Sequence, residues 1–165
     1  MFGVMAPRRC KCFAGHYRGS RSCEALLKYE VHLVGPGADP RVGKVAASEV
    51  AAEMAKFEAM CAKLWDAFQA TQSSEEPKAA DDIILFRLVR LLAQALERIF
   101  LIHPYANGNG HAGRYLVMYL LAKAGFATTK WSIDDKQPYG DALTAYRDGH
   151  KEPLEDFLLD ALAAG

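Results

Sequence analysis

Apolar positions along this chain recur mostly at helical spacing. Val50, Met54, Phe57, Cys61, Leu64, Trp65 and Phe68 fall on one stripe, the three-and-four repeat of an amphipathic helix. Ser48 and Glu49 precede it as N-cap and helix-start carboxylate, so the spacing predicts a helix to about Ala70. A second stripe, Ile84, Leu88, Leu91, Leu92, Ala95, Ile99 and Ile102, predicts a helix that opens at Asp81 or Asp82 and delivers His103 at its end. Arg87, Arg90, Glu97 and Arg98 read as its solvated face. A third pattern, Leu116, Val117, Leu120, Leu121 and Ala124, stops at Gly125, a natural helix terminator. Asp141 to Arg147 reads as helical and breaks at Asp148-Gly149-His150, and Pro153 fits the first turn of a last helix carrying Leu154, Phe157, Leu158, Ala161 and Leu162. Phe126 to Trp131 reads as an extended link, with a short helix beginning at Ser132. Two segments break the helical rule. Lys28 to Val34 alternates polar and apolar, a strand pattern, and Arg41 to Val45 reads as its returning partner across the loop Gly35–Pro40. The predicted class is mainly α with a small β-hairpin at 28–45.

Length and composition narrow this picture. The chain has 165 residues, 51% hydrophobic and 24% charged, which suits a single packed domain over 1–165 rather than a disordered chain. Residues 1–14 are basic and unpatterned and are expected to be poorly ordered. A formal net charge of +0 gives no general pull toward nucleic acid or an anionic membrane. No apolar run approaches the ~18 residues that span a bilayer, and the opening residues lack a signal-peptide core, so a cytoplasmic location is expected unless a non-classical route delivers the protein as an effector. Reduced thiols are then expected at Cys10, Cys12, Cys23 and Cys61. A zinc set of Cys10, Cys12, His16 and Cys23 is the sharper alternative, but its C-x-C spacing departs from the common finger spacing.

The chemistry concentrates in Ile102-His103-Pro104-Tyr105-Ala106-Asn107-Gly108-Asn109-Gly110-His111-Ala112-Gly113-Arg114. Pro104 and the glycines make this a loop wedged between two helices. The loop feeds a helix N-terminus, where amide N–H groups and the positive end of the helix dipole favour an anion, most often a phosphate. Arg114, one turn in, has a planar fork suited to phosphate oxygens. His111 sits at the mouth. His103 opens the loop and, as a histidine, is a base usable near neutral pH. Tyr105 reads as a packing anchor. The residues together describe a phosphate cradle beside a general base.

This loop resembles the signature of the Fic family, written H-P-F-x-(D/E)-G-N-G-R-x-x-R. The strong part of the resemblance covers residues 81–126, and Gly15-His16-Tyr17-Arg18 loosely resembles a G-x-Y-R found ahead of the family's flap. The resemblance implies a Fido-type helical bundle whose hairpin flap, here 28–45, docks a target protein by strand pairing. It implies transfer of AMP from ATP, usually with Mg²⁺, to a Ser, Thr or Tyr hydroxyl of that target. His103 would be the base, Gly108, Asn109 and Gly110 would cradle phosphates with His111, and Arg114 would hold the distal phosphate. Two positions depart from the signature. Asn107 stands where a metal-binding carboxylate is usual, leaving a weaker Mg²⁺ ligand, and His111 replaces an arginine. These departures keep two alternatives open: a catalytically silent nucleotide- or protein-binding module, or a transferase using another diphosphate-linked donor such as a uridylyl or choline-phosphate donor. The family's inhibitory S/T-x-x-x-E-(G/N) helix is not matched convincingly by Thr71 to Glu75, so any inhibition would come from a separate protein.

Two other motifs fail on context. Gly37 to Lys44 has the wrong glycine spacing for a P-loop, and Val45 replaces the Ser or Thr that would touch Mg²⁺. Gly108 to Gly113 matches G-x-G-x-x-G, but a helix precedes it where a dinucleotide fingerprint needs a strand.

Overall fold

The computed structural model describes residues 8–33, 38–72, 81–126 and 136–163. The expected connector after Gln72, the link and short helix over 127–135 and the tip of the expected hairpin at 34–37 lie outside them. The described elements are helical: α1 (Glu24–Leu27), α2 (Val50–Gln72), α3 (Asp81–Ile102), α4 (Asn109–Lys123), α5 (Lys136–Arg147) and α6 (Glu152–Ala163), with 3₁₀ turns at Arg8–Phe13 and Ala47–Glu49. The chain forms two compact units, Met1–Phe57 with Arg98–Gly113, and Glu58–Glu97 with Arg114–Gly165. Among the described residues no helix is long and apolar enough to cross a membrane.

In the first unit the buried apolar side chains are Cys23, Leu26, Ala47, Val50, Phe57, Ile99, Phe100 and Ile102. The short helix α1 packs against the 3₁₀ turn Ala47–Glu49 that leads into α2. The fit is close at Gly19, where φ is +82° and a Cβ would lie 1.7 Å from the carbonyl oxygen of Ala47. Only glycine satisfies both the left-handed backbone and that approach. The Gly19 N–H donates to the Leu26 carbonyl at 2.6 Å.

In the second unit the buried apolar side chains include Trp65 and Phe68 of α2, the α3 stripe from Leu88 to Leu96, and Val117, Leu120 and Leu121 of α4, and α5 packs on α6. The α4 helix ends as its sequence predicts: Gly125 has φ +87°, and the Phe126 N–H reaches back to the Leu121 carbonyl at 3.0 Å, the bonding of a Schellman cap. Tyr139 of α5 stacks on Phe157 of α6 with centroids 5.6 Å apart. Lys123 lies 4.2 Å from the Trp65 ring centre.

Several expectations need correction. Residues 28–33 and 38–45 form no strand among the described residues, because their polar groups are committed elsewhere. The Val42 N–H donates to the Asp39 carbonyl, the Gly43 N–H donates to the Leu101 carbonyl at 2.9 Å, and the Asp39 carboxylate takes the Arg41 N–H at 2.9 Å. An Asx turn on Asp39 and a contact with the end of α3 thus replace the returning strand. Ser48, expected as an N-cap, lies inside the 3₁₀ turn Ala47–Glu49 that leads into α2, and the first N–H of that turn, from Ala47, is held by Glu30 Oε1 at 2.9 Å, a carboxylate brought in from outside the helix. Arg8–Phe13, expected to be irregular, forms a 3₁₀ turn. Cys12 and Cys23 are not free thiols but form a disulfide, their Cα atoms 5.6 Å apart within the range such a bond needs, and this removes both sulfurs from the zinc set. Three residues of the supposed solvated face of α3 are in ion pairs, Arg90 with Glu155 at 3.5 Å, Glu97 with Arg147 at 3.3 Å and Arg98 with Glu53.

Two measurements check this packing. Gly19→Ala is expected to destabilise the protein by at least about 2 kcal/mol in urea unfolding, since it adds both a steric overlap and left-handed strain. Burial pushes the Cys61 thiol up to about 11, so its thiolate is scarce at pH 8 and iodoacetamide should label it far more slowly than a free cysteine in a peptide, the rate climbing as pH rises toward 11.

Candidate functional site

The helical period of α3 ends at Ile102, and the chain leaves the helix at His103 with φ +51°. A side chain with a Cβ resists that conformation, so the turn must be held from outside. Arg18 holds it. Its Nη2 donates to the Ile102 carbonyl at 2.8 Å and its Nε to the His103 carbonyl at 2.8 Å. Its own backbone N–H donates to the Pro104 carbonyl at 2.9 Å. A weaker contact runs from Nη2 to the Gly43 carbonyl at 3.4 Å. The Arg18 side chain is fully buried, and Glu30 pairs with its Nη1 at 3.3 Å. Burial lowers the guanidinium from its usual range, and Glu30 opposes that shift. A cation at the C-terminal end of α3 also meets the negative end of the helix dipole.

The loop beyond is braced by its own side chains. Tyr105 is half-buried, with its ring 5.4 Å from that of Tyr17, and burial with Tyr17 beside it raises the phenol. This is the packing anchor expected from the sequence. Asn109 is 4% exposed. Its Oδ1 accepts the Tyr105 N–H at 2.9 Å and its Nδ2 donates to the Tyr105 carbonyl at 2.8 Å. The side chain of the expected cradle residue therefore closes the loop onto the Tyr105 backbone.

Gly108 has φ +83°, and a Cβ there would meet nothing within 4 Å. The backbone at this point faces open space. The Gly108 carbonyl accepts the first helical bond of the α4 mouth, from Ala112 at 2.9 Å, so the amides ahead of that bond point out of the helix. Gly110 is half-buried and His111 is exposed, while Arg114 follows further along α4, half-buried. His103, Gly108, Asn109 and Gly110 thus come together in one short turn, as their spacing predicts.

The donor set at Asn107 does not fit a resident Mg²⁺. Asn107 Oδ1 accepts the Gly108 N–H at 2.7 Å, the loop 102–114 carries no carboxylate, and among the described residues no three His, Cys, Asp or Glu side chains gather as a metal set. Mg²⁺ favours anionic oxygens, and this loop offers none.

Arg18, Glu30 and Gly43 are the residues that pattern reading missed. The Gly-His-Tyr-Arg run was a faint signal for Arg18. Glu30 looked like the polar phase of a strand, and Gly43 like part of a failed P-loop.

The chain is similar to two curated proteins over under half its length. It is 31% identical over 81 residues to the Protein adenylyltransferase Fic of Culex quinquefasciatus, covering 49% of this chain and 16% of that protein. It is 32% identical over 76 residues to the Protein adenylyltransferase Fic of Aedes aegypti, covering 46% of this chain and 15% of that protein. The chain therefore spans about a sixth of the length of the curated relatives it matches. These two likenesses support Fic-family membership. No family model and no solved structure matches it.

Removing the brace tests the loop's construction. Asn109→Ala leaves the Tyr105 N–H and carbonyl without their partner and is expected to cost about 1–3 kcal/mol in urea unfolding, whereas Asn107→Ala, at an exposed position, is expected to cost under about 1 kcal/mol.

Proposed function

We propose that the chain is a Fic-type nucleotidyltransferase that moves AMP from ATP to a Ser, Thr or Tyr hydroxyl of a protein. The observation that carries this reading is the adjacency of a firmly held His103 and a glycine loop open to solvent at the mouth of α4. The two partial relatives, both named protein adenylyltransferases, support the transferase class.

In this mechanism His103 takes the proton of the attacking hydroxyl. The hydroxyl oxygen forms a bond to the α-phosphorus of ATP, the bond from that phosphorus to the bridging oxygen breaks, and pyrophosphate leaves. The amides at the α4 mouth receive the negative charge of the phosphates, and Arg114 takes the distal phosphate. The catalytic power lies in positioning and charge rather than in covalent chemistry on the protein.

A second reading has one specific observation behind it. Asn107 is neutral and turned onto the Gly108 amide, which favours a silent nucleotide-binding module.

Intact-mass analysis of the purified protein, incubated with ATP with and without Mg²⁺ or Mn²⁺, separates the two. The expected result is self-modification by one AMP in the wild type and at least about a hundredfold slower reaction in His103→Ala. Equal reaction in both proteins would remove His103 from the mechanism. ATP binding by calorimetry without any mass gain would establish the silent module. Neither binding nor mass gain would exclude ATP, and uridine and choline diphosphate donors would be tried next.

A further inference from the structure

The active turn of the proposed transferase is anchored by a residue far from it in sequence. We propose that Arg18 is the positioning residue for His103, and that it fixes the imidazole for proton transfer by clamping three successive carbonyls, those of Ile102, His103 and Pro104. The inference rests on the transferase reading only in taking His103 as the base.

Three observations lead to it. First, His103 is, among the described residues, the non-glycine residue with positive φ, at 51°. Left to itself such a residue relaxes to the right-handed or extended basin, and the ring would move with the backbone. Second, all three carbonyls across the exit from α3 accept hydrogen bonds from Arg18, at 2.8, 2.8 and 2.9 Å. Two come from the guanidinium and one from the main chain, so the turn is gripped by a planar fork and by the backbone beneath it. A lysine has one donor centre and no fork, so it cannot reproduce this geometry. Third, the fork is itself locked. Glu30 takes Nη1 with one oxygen and the Ala47 N–H with the other, and the Gly43 carbonyl faces Nη2. A Cβ on Gly43 would lie 3.6 Å from the His103 Cβ, so the same shell packs directly beside the base.

A plain helix cap would need only the Ile102 carbonyl. The bonds to His103 and Pro104 reach past the helix into the loop, where they set the backbone that carries the imidazole.

The test uses the full chain labelled with ¹⁵N-histidine, as wild type, Arg18→Lys and Glu30→Gln. Two-bond ¹H–¹⁵N spectra are recorded across the pH range, together with far-ultraviolet circular dichroism and AMP-transfer kinetics. In Arg18→Lys the His103 ring signals are expected to move or split and its titration to shift, with those of His32 and His150 unchanged. The kcat is expected to fall at least about tenfold while the KM for ATP stays within about twofold, the pattern of an interaction realised at the chemical step. Glu30→Gln keeps the three clamping bonds and loosens the fork, so it should move the same signals by a smaller amount. It carries the test alone if Arg18→Lys does not fold. Unchanged His103 signals in a folded variant would overturn the proposal, as would a fall in kcat that only tracks lost helicity or a raised KM for ATP. Should the wild type transfer nothing, the spectra decide the matter by themselves: moved His103 signals uphold the clamp while the transferase reading falls.

Discussion

A guanidinium taken out of water loses hydration that only dense hydrogen bonding restores. Arg18 meets that demand by reaching into the end of α3 and the turn after it, with Glu30 as the counter-charge. The first unit depends on this contact. Glu30 is held on one side by Arg18 and on the other by the Ala47 amide that starts the approach to α2, so one ion pair ties the beginning of α2 to the end of α3. The disulfide between Cys12 and Cys23 encloses the segment that carries Tyr17 and Arg18. That closure limits how far the clamp can wander in the unfolded chain, which favours its return to the same place.

The loop after His103 shows how a short polar segment is made rigid without a core. Asn109 closes both bonds on Tyr105, and Tyr105 rests on Tyr17. Those contacts leave Gly108 facing open space at a helix mouth. Rigid edges around an open backbone are what anion recognition requires: amide dipoles already aimed, with little ordering cost on binding. The neutral Asn107 fits this economy of carboxylates. Its amide oxygen serves the loop itself, accepting the Gly108 N–H.

The second unit relies on ordinary means. Its helices bury apolar stripes, and its ion pairs join Glu97 to Arg147, both largely buried, and the exposed Arg90 to the buried Glu155. The α5–α6 hairpin turns through Asp148 and Gly149, with φ +97° at the glycine, and the stacked rings of Tyr139 and Phe157 join its two arms.

Much of this was legible from local rules. The period of α3 located its end at Ile102, the α4 pattern located its stop at Gly125, and Pro153 marked the start of α6, because helical burial and capping act within a few residues. The loop chemistry at 103–114 was legible for the same reason: glycines, histidines and a helix start are written in sequence order. What the sequence did not reveal depended on partners distant along the chain. Alternation at 28–34 resembled a strand, but Glu30 was claimed by Arg18 and Ala47, and the amides of 42 and 43 were claimed by a turn and by Leu101. Strand formation is a contest for backbone partners, and local pattern does not show who wins it. The bonds that the Asn109 side chain makes to the Tyr105 backbone were likewise not legible in the sequence. By itself the sequence determined α2, α3, α4 and α6, most of their ends and the chemical identity of the loop, since these follow from spacing and residue type; it missed α1 and the start of α5 at Lys136, which its reading put at Asp141. Only the tertiary structure decided that a buried arginine eighty-five residues away holds His103, because the cost of burying a charge is met by whichever carbonyls the fold brings within reach.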